Sequence, residues 1–361
     1  MRWQWSTRWL DPVSTWPGPS RASAPHDGER AADAHPLATG VMTRGLRSEA
    51  DYAAMALVLE ESRDTDGLDH AQTPDRFRDS LRSVAGFDPS EGVRLAEVDG
   101  SVVGYAYGFF DGDSPAFGRI FVHAGRVLPA WRRRGIGTTL LAQARTAALV
   151  HGARHAAPAP SSAIFRTRVE GTDEASLSLL ERHGYAVSRH LFEMVRPTLS
   201  DLPTQELPAG LEVRPARLEA AAVILRAMNE AMADDWGMAS YSAAEMSTWM
   251  LHPLYSQTDV WQVAWDGEEV VGGVLGFIDH EENRLLHRSR GYTECIFTRR
   301  PWRGRGVATA LIGRNLRLLA ERGMTEAALS VDTESPSGAV ALYERVGFVR
   351  DRVSLILQRP V

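Results

Sequence analysis

Two short runs of arginine and glycine residues could bind a phosphate group. The second run is Arg303-Gly304-Arg305-Gly306-Val307-Ala308, and the first is Arg132-Arg133-Arg134-Gly135-Ile136-Gly137. Glycine lets the backbone approach an anion closely, and guanidinium groups form charge-assisted hydrogen bonds with phosphate oxygens. The first amides of a helix lack backbone partners, and the helix dipole favours negative charge near them. Both runs are therefore candidate anion-binding loops if a helix follows each of them.

The segments around these loops predict the elements that would position them. A strand-like run at 291–298 precedes the second loop, and an amphipathic helical pattern begins at Val307. In the first half, a strand at 117–128 and a helix to about residue 151 flank the other loop. Asp99-Gly100 and Asp266-Gly267 each lie between two apolar runs, which predicts a β-hairpin before each of these strands.

The two halves repeat one order of elements, and the loops align at one constant spacing. The aligned pairs are Trp131 and Trp302, Arg132 and Arg303, Gly135 and Gly306, and Gly137 and Ala308. A period this long indicates duplicated domains rather than a solenoid. We predict an N-terminal domain at 41–197, a proline-rich linker at 198–210 and a C-terminal domain at 211–361. Residues 1–40 show no helical or strand periodicity, which indicates a disordered leader or, because Met42 follows, a misassigned start.

The composition excludes several classes of protein. The chain of 361 residues is 44% apolar with a net charge of −6, which argues against non-specific nucleic-acid binding. A single cysteine, Cys295, excludes an intrachain disulfide and a zinc cluster of several thiolates. No run approaches the ~20 apolar residues that span a membrane. We therefore expect a cytoplasmic protein with no membrane or nucleic-acid partner.

The loops fit no standard nucleotide-binding motif. A P-loop requires a lysine that neither loop has, and a dinucleotide fingerprint requires a third glycine after Gly135 and Gly137. A single copy of such a loop would equally indicate an ordinary turn before a helix. Two copies at the same place in the same order of elements, each after a proline and a tryptophan, favour a functional role.

The two loops, together with a later motif, resemble the GCN5-related N-acetyltransferase (GNAT) superfamily. The later motif is Ala341-Leu342-Tyr343-Glu344-Arg345-Val346-Gly347-Phe348, and its first-half match is Leu179-Leu180-Glu181-Arg182-His183-Gly184-Tyr185. The similarity covers residues 41–360 and is greatest to the tandem GNAT proteins of actinobacteria, which include mycothiol synthase. The resemblance implies an α/β (α+β) fold of two tandem GNAT domains, each a mixed, mostly antiparallel sheet flanked by helices. It implies a monomer or a homodimer.

The resemblance also implies that the loops bind acetyl-CoA as cosubstrate, without a metal ion. In this family, backbone amides of the loop and of the first helical turn hold the pyrophosphate. The residues that take this role by resemblance are Arg303, Gly304, Arg305, Gly306, Val307 and Ala308, and in the first half Arg132, Arg133, Arg134, Gly135, Ile136 and Gly137.

Tyr343 is the candidate proton donor to the departing thiolate, because GNAT enzymes often place a tyrosine here near the CoA sulfur. The alternative is a tyrosine that packs on its helix. The first half has Leu180 at the matching position, and leucine cannot donate a proton. We therefore interpret the C-terminal domain as catalytic and the N-terminal domain as degenerate, with a structural or cofactor-binding role.

Glu294 is the candidate general base, because it lies on the strand before the loop, where GNAT enzymes often carry an acidic residue. It could instead face solvent or pair with Arg290 or Arg299. Its first-half equivalent by sequence is His123, and its neighbour Cys295 should face the opposite side of the strand.

The sequence contains fewer signals for the acceptor site than for the anion-binding loops. Asp235 and Trp236 lie where the first helices of a GNAT domain shape that site, and carboxylates beside a tryptophan suit an ammonium group. They could also form a helix cap or a turn. A second acidic group, Asp279, Glu281 and Glu282, predicts a solvated turn, and the spacing of His280 and His287 fits no zinc motif.

The sequence is compatible with two classes of function. The first is an N-acetyltransferase that moves the acetyl group of acetyl-CoA to a primary amine of a small molecule by direct attack. Within this class, acetylation of a cysteinyl glycoside, as in mycothiol synthase, is an alternative. The second class is a non-catalytic acyl-CoA-sensing protein, which the loss of the tyrosine at Leu180 would favour.

Overall fold

The computed structural model describes residues 40–84, 86–114, 117–154, 162–232, 254–334 and 338–361. Two compact units divide these residues. The first unit contains the described residues up to 188 together with 355–361, and the second contains 189–354. The predicted leader lies outside the described residues, apart from Gly40. No helix of the described ranges is long and apolar enough to cross a membrane.

The first unit is built on strands that pair in sequence order. Strands β1 to β4 pair antiparallel with their neighbours, and β4 pairs parallel with β5. The strands are β1 Val41–Gly45, β2 Val93–Val98, β3 Ser101–Ser114, β4 Gly118–Val127, β5 Ala163–Glu170 and β6 Ala186–Arg196. The helices are α1 Glu49–Asp66, α2 Pro74–Ser83, α3 Pro89–Gly92, α4 Ile136–Ala153 and α5 Glu174–Arg182.

Helices cover both faces of this sheet. One core joins α1 and α2 to β2, β3 and β4, and others join α4 and α5 to the opposite face. The predicted hairpin between β2 and β3 is confirmed, with Asp99 at φ 47° and Gly100 at φ 81°. Asp and Gly tolerate these left-handed conformations, which a two-residue hairpin turn requires.

The second unit repeats this plan with two sheets. One sheet has the antiparallel order β12-β9-β8-β7, and the other contains β10, β11, β13 and the end of β6, with β11 and β13 parallel. The strands are β7 Glu212–Arg214, β8 Gln262–Asp266, β9 Glu269–Val274, β10 Phe277–Ile278, β11 Arg290–Tyr292, β12 Phe297–Thr298, β13 Glu326–Asp332 and β14 Val349–Pro360. The helices are α6 Ala221–Ala231, α7 His280–Leu285, α8 Val307–Glu321 and α9 Ala339–Arg345. The predicted α/β class, with mixed and mostly antiparallel sheets flanked by helices, is confirmed.

The units differ from the predicted domains at two places. Residues 191–196 of β6 pair antiparallel with β13, and so belong to the second unit. The last residues of the chain belong to the first unit, where the Val361 amide donates to the Ala163 carbonyl at 3.0 Å and Leu357 is buried. Sequence patterns identify strands but not their partners, because the partners lie more than a hundred residues away.

The segment predicted as a linker packs within the second unit. Arg317 Nη1 of α8 donates to the Pro203 carbonyl at 2.8 Å. Leu199, Leu202 and Leu207 are partly buried against the core that α8 and α9 share. The segment therefore lies along α8 as an ordered part of this unit.

Candidate active site

The second arginine–glycine loop lies between β12 and α8 and has the geometry of an anion-binding loop. A 3₁₀ turn at Arg300–Trp302 ends the strand, and Gly304 and Gly306 both adopt left-handed φ values of 72° and 84°. The first intrahelical hydrogen bond runs from the Ala310 amide to the Gly306 carbonyl at 3.0 Å. The amides of Val307 and Ala308 therefore have no partner within the helix. A side chain at Gly304 would meet no atom within 4 Å, so this face of the loop has room for a ligand.

The first loop, between β4 and α4, has the same backbone form. Arg133 at φ 62° takes the place of Gly304, and Gly135 at φ 79° takes that of Gly306. The Thr139 amide donates to the Gly135 carbonyl at 3.1 Å and opens the helix. Left-handed geometry is thus retained at Arg133 although it costs a non-glycine residue about 1–2 kcal/mol.

The side chains of the two aligned arginines hold each loop in place. Arg303 Nε donates to the Thr298 carbonyl at 3.0 Å, and its Nη2 donates to the Ala231 carbonyl at the end of α6 at 2.6 Å. Arg132 Nε donates to the Val127 carbonyl at 2.9 Å, and its Nη1 lies 2.7 Å from the buried Asp66 carboxylate. These guanidinium donors therefore bind the protein itself, in contrast to the phosphate contacts that we expected of them.

The remaining arginines of the loops are exposed. Arg133 and Arg305 project from the surface beside the left-handed positions. Arg134 lies over the Trp131 ring, with its Cζ 4.5 Å from the ring centroid. Positive charge therefore surrounds both loops even though Arg132 and Arg303 have structural contacts.

The strand before the second loop breaks in two, which the sequence did not predict. The expected strand at 291–298 divides into β11, which pairs with β13, and β12, which pairs with β9 in the other sheet. Cys295 lies in the break with a left-handed φ of 47°. The Thr293 amide still donates to the Ala328 carbonyl at 2.9 Å, and beyond this bond the two parallel strands separate. Glu294 is therefore placed where the sheet opens.

The two arginines considered as partners of Glu294 are paired elsewhere. Arg290 Nε lies 2.7 Å from Glu326 Oε1, and Arg299 Nη2 lies 3.0 Å from Glu230 Oε2. Glu294 itself is half-buried, and its backbone carbonyl accepts from the Leu275 amide at 3.0 Å. Cys295 is buried with the residues that pack on α6, and burial, followed by the nearby Glu294 charge, raises the pKa of its thiol.

His123 does not correspond to Glu294 in space. Thr293 Oγ1 bonds Asn315 Oδ1 of α8 at 3.0 Å, so Thr293 faces that helix. His123 likewise faces α4, where burial and the Arg145 charge lower the pKa of its imidazole to about 3. In the first unit β4 runs unbroken through His123, so Thr293 is its counterpart and Glu294 is one extra residue in a bulge.

Neighbouring contacts support this register. A side chain on Gly291 would lie 2.5 Å from Leu319 of α8. In the first unit, Phe121 packs against Gly152 at the end of α4, in the same cluster as Ala148. The sequence offset between equivalent residues of the two units is therefore one residue smaller before the bulge than after it. The equivalence that we assigned between His123 and Glu294 is corrected on this ground.

Tyr343 lies on α9, which packs against β13, the other strand at the opening. Its side chain is 8% exposed and belongs to the same buried cluster as Val331, and its ring centroid lies 6.3 Å from that of Phe348. Leu180 is buried at the matching place in the first unit. Tyr343 thus lies in the core beside β13, and Glu294 follows β11 at the point where these two strands separate.

The predicted acceptor residues Asp235 and Trp236 lie outside the described residues. The acidic group at 279–282 is not a solvated turn, because Asp279 and Glu282 are fully buried. Asp279 caps α7 by accepting from the Glu282 amide at 2.8 Å, while Glu282 bonds the Tyr292 hydroxyl and pairs with Arg288 at 3.2 Å. The three-residue spacing from Asp279 to Glu282 is that of a helix N-cap, a signal that the sequence contained.

Comparison with known proteins identifies the family. The acetyltransferase (GNAT) family model matches residues 55–185 and again 224–348. The chain belongs to the GNAT acetyltransferase family. It is therefore an acyltransferase, and members of this family use acetyl-CoA or another acyl-CoA as donor and act on small-molecule acceptors. The two matches, one in each unit, confirm the tandem arrangement.

Relatives and solved structures agree with this assignment. The chain is 30% identical to the mycothiol acetyltransferase of Streptomyces coelicolor over 324 residues, which cover 86% of this chain and 92% of the relative. It is 27% identical to the mycothiol acetyltransferase of Thermobispora bispora, covering 86% and 96% of the two chains. A GCN5-related N-acetyltransferase from Sphaerobacter thermophilus superposes with a TM-score of 0.69 at 25% identity, covering 90% and 96%.

Proposed function

We propose that the second unit transfers the acetyl group of acetyl-CoA to a primary amine of a small molecule. The observation that supports this proposal is the bulge at Glu294, where a carboxylate follows β11 at the point at which β11 and β13 separate, on the segment that leads through β12 to the candidate anion-binding loop. The first unit has an unbroken β4 and Leu180 in place of a tyrosine. This asymmetry supports one working site in the second unit, with the first loop retained for cofactor binding.

The proposed reaction assigns one step to each group. The loop amides at Gly304–Ala308 hold the pyrophosphate, and Glu294 accepts the proton of the amine directly or through water. The neutral amine nitrogen attacks the thioester carbon, the new carbon–nitrogen bond forms and the carbon–sulfur bond breaks. Tyr343 donates a proton to the departing thiolate, and the second proton, which the nitrogen loses as the amide forms, restores the Tyr343 hydroxyl group.

A cysteinyl glycoside is the second candidate acceptor. The mycothiol acetyltransferases named above share most of their length with this chain, which favours an acceptor of this kind. An amine panel that includes cysteinyl glycosides, with CoA release as the signal, tests both candidates. Tight acetyl-CoA binding with no release across the panel would favour the acyl-CoA-sensing alternative.

The role of Tyr343 is tested by Tyr343→Phe. Loss of a general acid should lower kcat by about 10²-fold or more, while the Kd for CoA measured by calorimetry stays unchanged. Tyr52→Phe, at a buried tyrosine of α1 in the first unit, is the matched control and should keep full turnover. Equal kcat values for the two variants would remove Tyr343 from the mechanism.

A further inference from the structure

Asn315 lies in the middle of α8 with its side-chain amide fully buried. Leu311, Leu316 and Leu319 on the same helix form part of the apolar core that α8 shares with β8, β9 and β13. An amide in such a core is costly unless its donor and its acceptor are both hydrogen-bonded. The contacts of the amide should therefore explain why this position is polar.

Both ends of the Asn315 amide are hydrogen-bonded, each to a different segment of the second unit. Its Oδ1 accepts from the Thr293 hydroxyl group at 3.0 Å, and its Nδ2 donates to the Val260 carbonyl at 3.2 Å. Thr293 is itself fully buried after β11, and Val260 precedes β8. The amide also lies against Gly276, between β9 and β10, where an added Cβ would come within 2.8 Å of Nδ2. Asn315 therefore joins three segments that meet at α8.

Two of these segments hold the bulge at Glu294. Thr293 is the residue before the bulge, and its amide makes a backbone hydrogen bond to β13 at 2.9 Å. The Glu294 carbonyl accepts from the Leu275 amide at 3.0 Å, and Leu275 immediately precedes the glycine that contacts Asn315. The Asn315 amide therefore contacts both supports of the backbone at Glu294.

The first unit has similar packing without this amide. Ala144 of α4 takes the place of Asn315, and a Cβ added to Gly108 would come within 2.1 Å of the Ala144 carbonyl oxygen. His123 takes the place of Thr293 in β4, which runs unbroken. Of these two matching positions, the buried amide occupies the one in the unit whose strand carries the bulge.

We propose that Asn315 is a positioning residue for acetyl transfer, which acts by fixing the backbone at Glu294. This inference rests on the proposed function, because it takes Glu294 as the general base. A general base has to stay within about 2.6–3.2 Å of the group that it deprotonates, or act through one water molecule. A misplacement of about 1 Å can lower a rate about 100-fold. Asn315 would act through Thr293 and the segment at Gly276, and it would take no part in the proton transfer itself.

Cys295 reports on the bulge without any acceptor. It is the chain's only cysteine, it is buried, and it follows Glu294 at φ 47°. The rate at which an aromatic disulfide reagent modifies its thiol therefore measures how often the bulge opens. We expect Asn315→Ala, which introduces the residue type of the first unit, to raise this rate at least tenfold. Thr293→Val, which removes the hydroxyl group, should do the same, and Thr293→Ser, which keeps it, should stay within about threefold of the wild type.

Asn283→Ala is the matched control for a general loss of stability. Asn283 is also a buried asparagine of the second unit, where its Nδ2 donates to the Arg290 carbonyl at 2.9 Å and its Oδ1 accepts from the Arg290 amide at 3.0 Å. This variant should unfold at a urea concentration similar to that of Asn315→Ala, yet keep the Cys295 rate within about threefold of the wild type. Equal rates in the two asparagine variants, or a wild-type rate in Asn315→Ala, would overturn the proposal. If Asn315→Ala does not fold, Thr293→Val takes its place in these comparisons.

Turnover in two backgrounds shows whether Asn315 acts through Glu294. With acetyl-CoA and the amine of the panel that gives the fastest CoA release, Asn315→Ala should lower kcat at least tenfold. The Kd for CoA should stay unchanged, because Val307 lies eight residues earlier on α8, about 12 Å away at 1.5 Å per residue.

In the Glu294→Gln background, the same substitution should change the remaining kcat by less than about twofold, because the group that Asn315 positions is gone. An equal fold loss in both backgrounds would refute a role through Glu294. Wild-type kcat in Glu294→Gln alone would instead refute the general base of the proposed function and the positioning role with it. The Cys295 rates distinguish these failures, because they test the hold of Asn315 on the bulge without any turnover.

Discussion

Gly306→Ala separates the contribution of the second loop to folding from its contribution to binding. Gly306 caps α8 at φ 84°, a conformation that costs alanine about 1–2 kcal/mol. The added methyl group would lie 3.5 Å from the Gln205 amide, which is an ordinary contact, so little further strain arises. The free energy of unfolding should therefore fall by about 1–2 kcal/mol.

We expect the same methyl group to keep a phosphate from the loop amides. A hydrogen bond to a charged group contributes about 1.5–3 kcal/mol, so losing one corresponds to about a 10- to 100-fold rise in the Kd for CoA. Gly323→Ala provides the control. Gly323 follows the other end of α8 at φ 82°, and a methyl group added there would meet no atom within 4 Å. This variant therefore carries the same backbone cost away from the loop.

Chemical denaturation and calorimetry with CoA measure the two effects on the same samples. Both variants should lose similar stability, and only Gly306→Ala should lose affinity. If Gly306→Ala and Gly323→Ala bind CoA equally well, the loop does not hold the pyrophosphate and the reasoning from its geometry is wrong.

Two further predictions concern the first unit. Arg133 adopts a left-handed conformation that Gly304 adopts at the matching place, and Arg133→Gly removes the strain of that conformation. The free energy of unfolding, measured by urea denaturation, should therefore rise by about 1 kcal/mol. An unchanged free energy of unfolding would contradict the strain argument. His123 has a folded pKa of about 3, below the ordinary unfolded value, so protonation of the unfolded state should destabilise the protein as pH falls below about 6.5. Between pH 7 and pH 5 the wild type should lose about 2 kcal/mol more than His123→Thr, which carries the residue found at Thr293. Parallel pH profiles would show that His123 is not buried in its neutral form.

Local sequence patterns were sufficient to predict those structural features whose physical cause lies within a few neighbouring residues. The hairpin at Asp99-Gly100 and the left-handed glycines before α4 and α8 follow from backbone preferences of the residues themselves. The α/β class follows from the order of strand and helix periodicities, and the duplicated domains follow from the repeat of that order. The roles of individual side chains in the proposed site were predicted from resemblance, and they stay predictions.

Contacts between distant residues decided the rest. Arg132 and Arg303 look like phosphate ligands in the sequence, yet Asp66 and the Ala231 carbonyl, some 65 to 75 positions earlier, accept their donors. The bulge at Glu294 arises because β11 pairs with β13 while β12 pairs with β9, and no local pattern shows which sheet a residue joins. The chain alone therefore determined two similar domains with two similar loops. It also showed one difference between them, Leu180 at the position of Tyr343. The other differences, in the contacts of the loop arginines and in the bulge, depend on burial and strand partners, which are properties of residues that meet only in the folded protein.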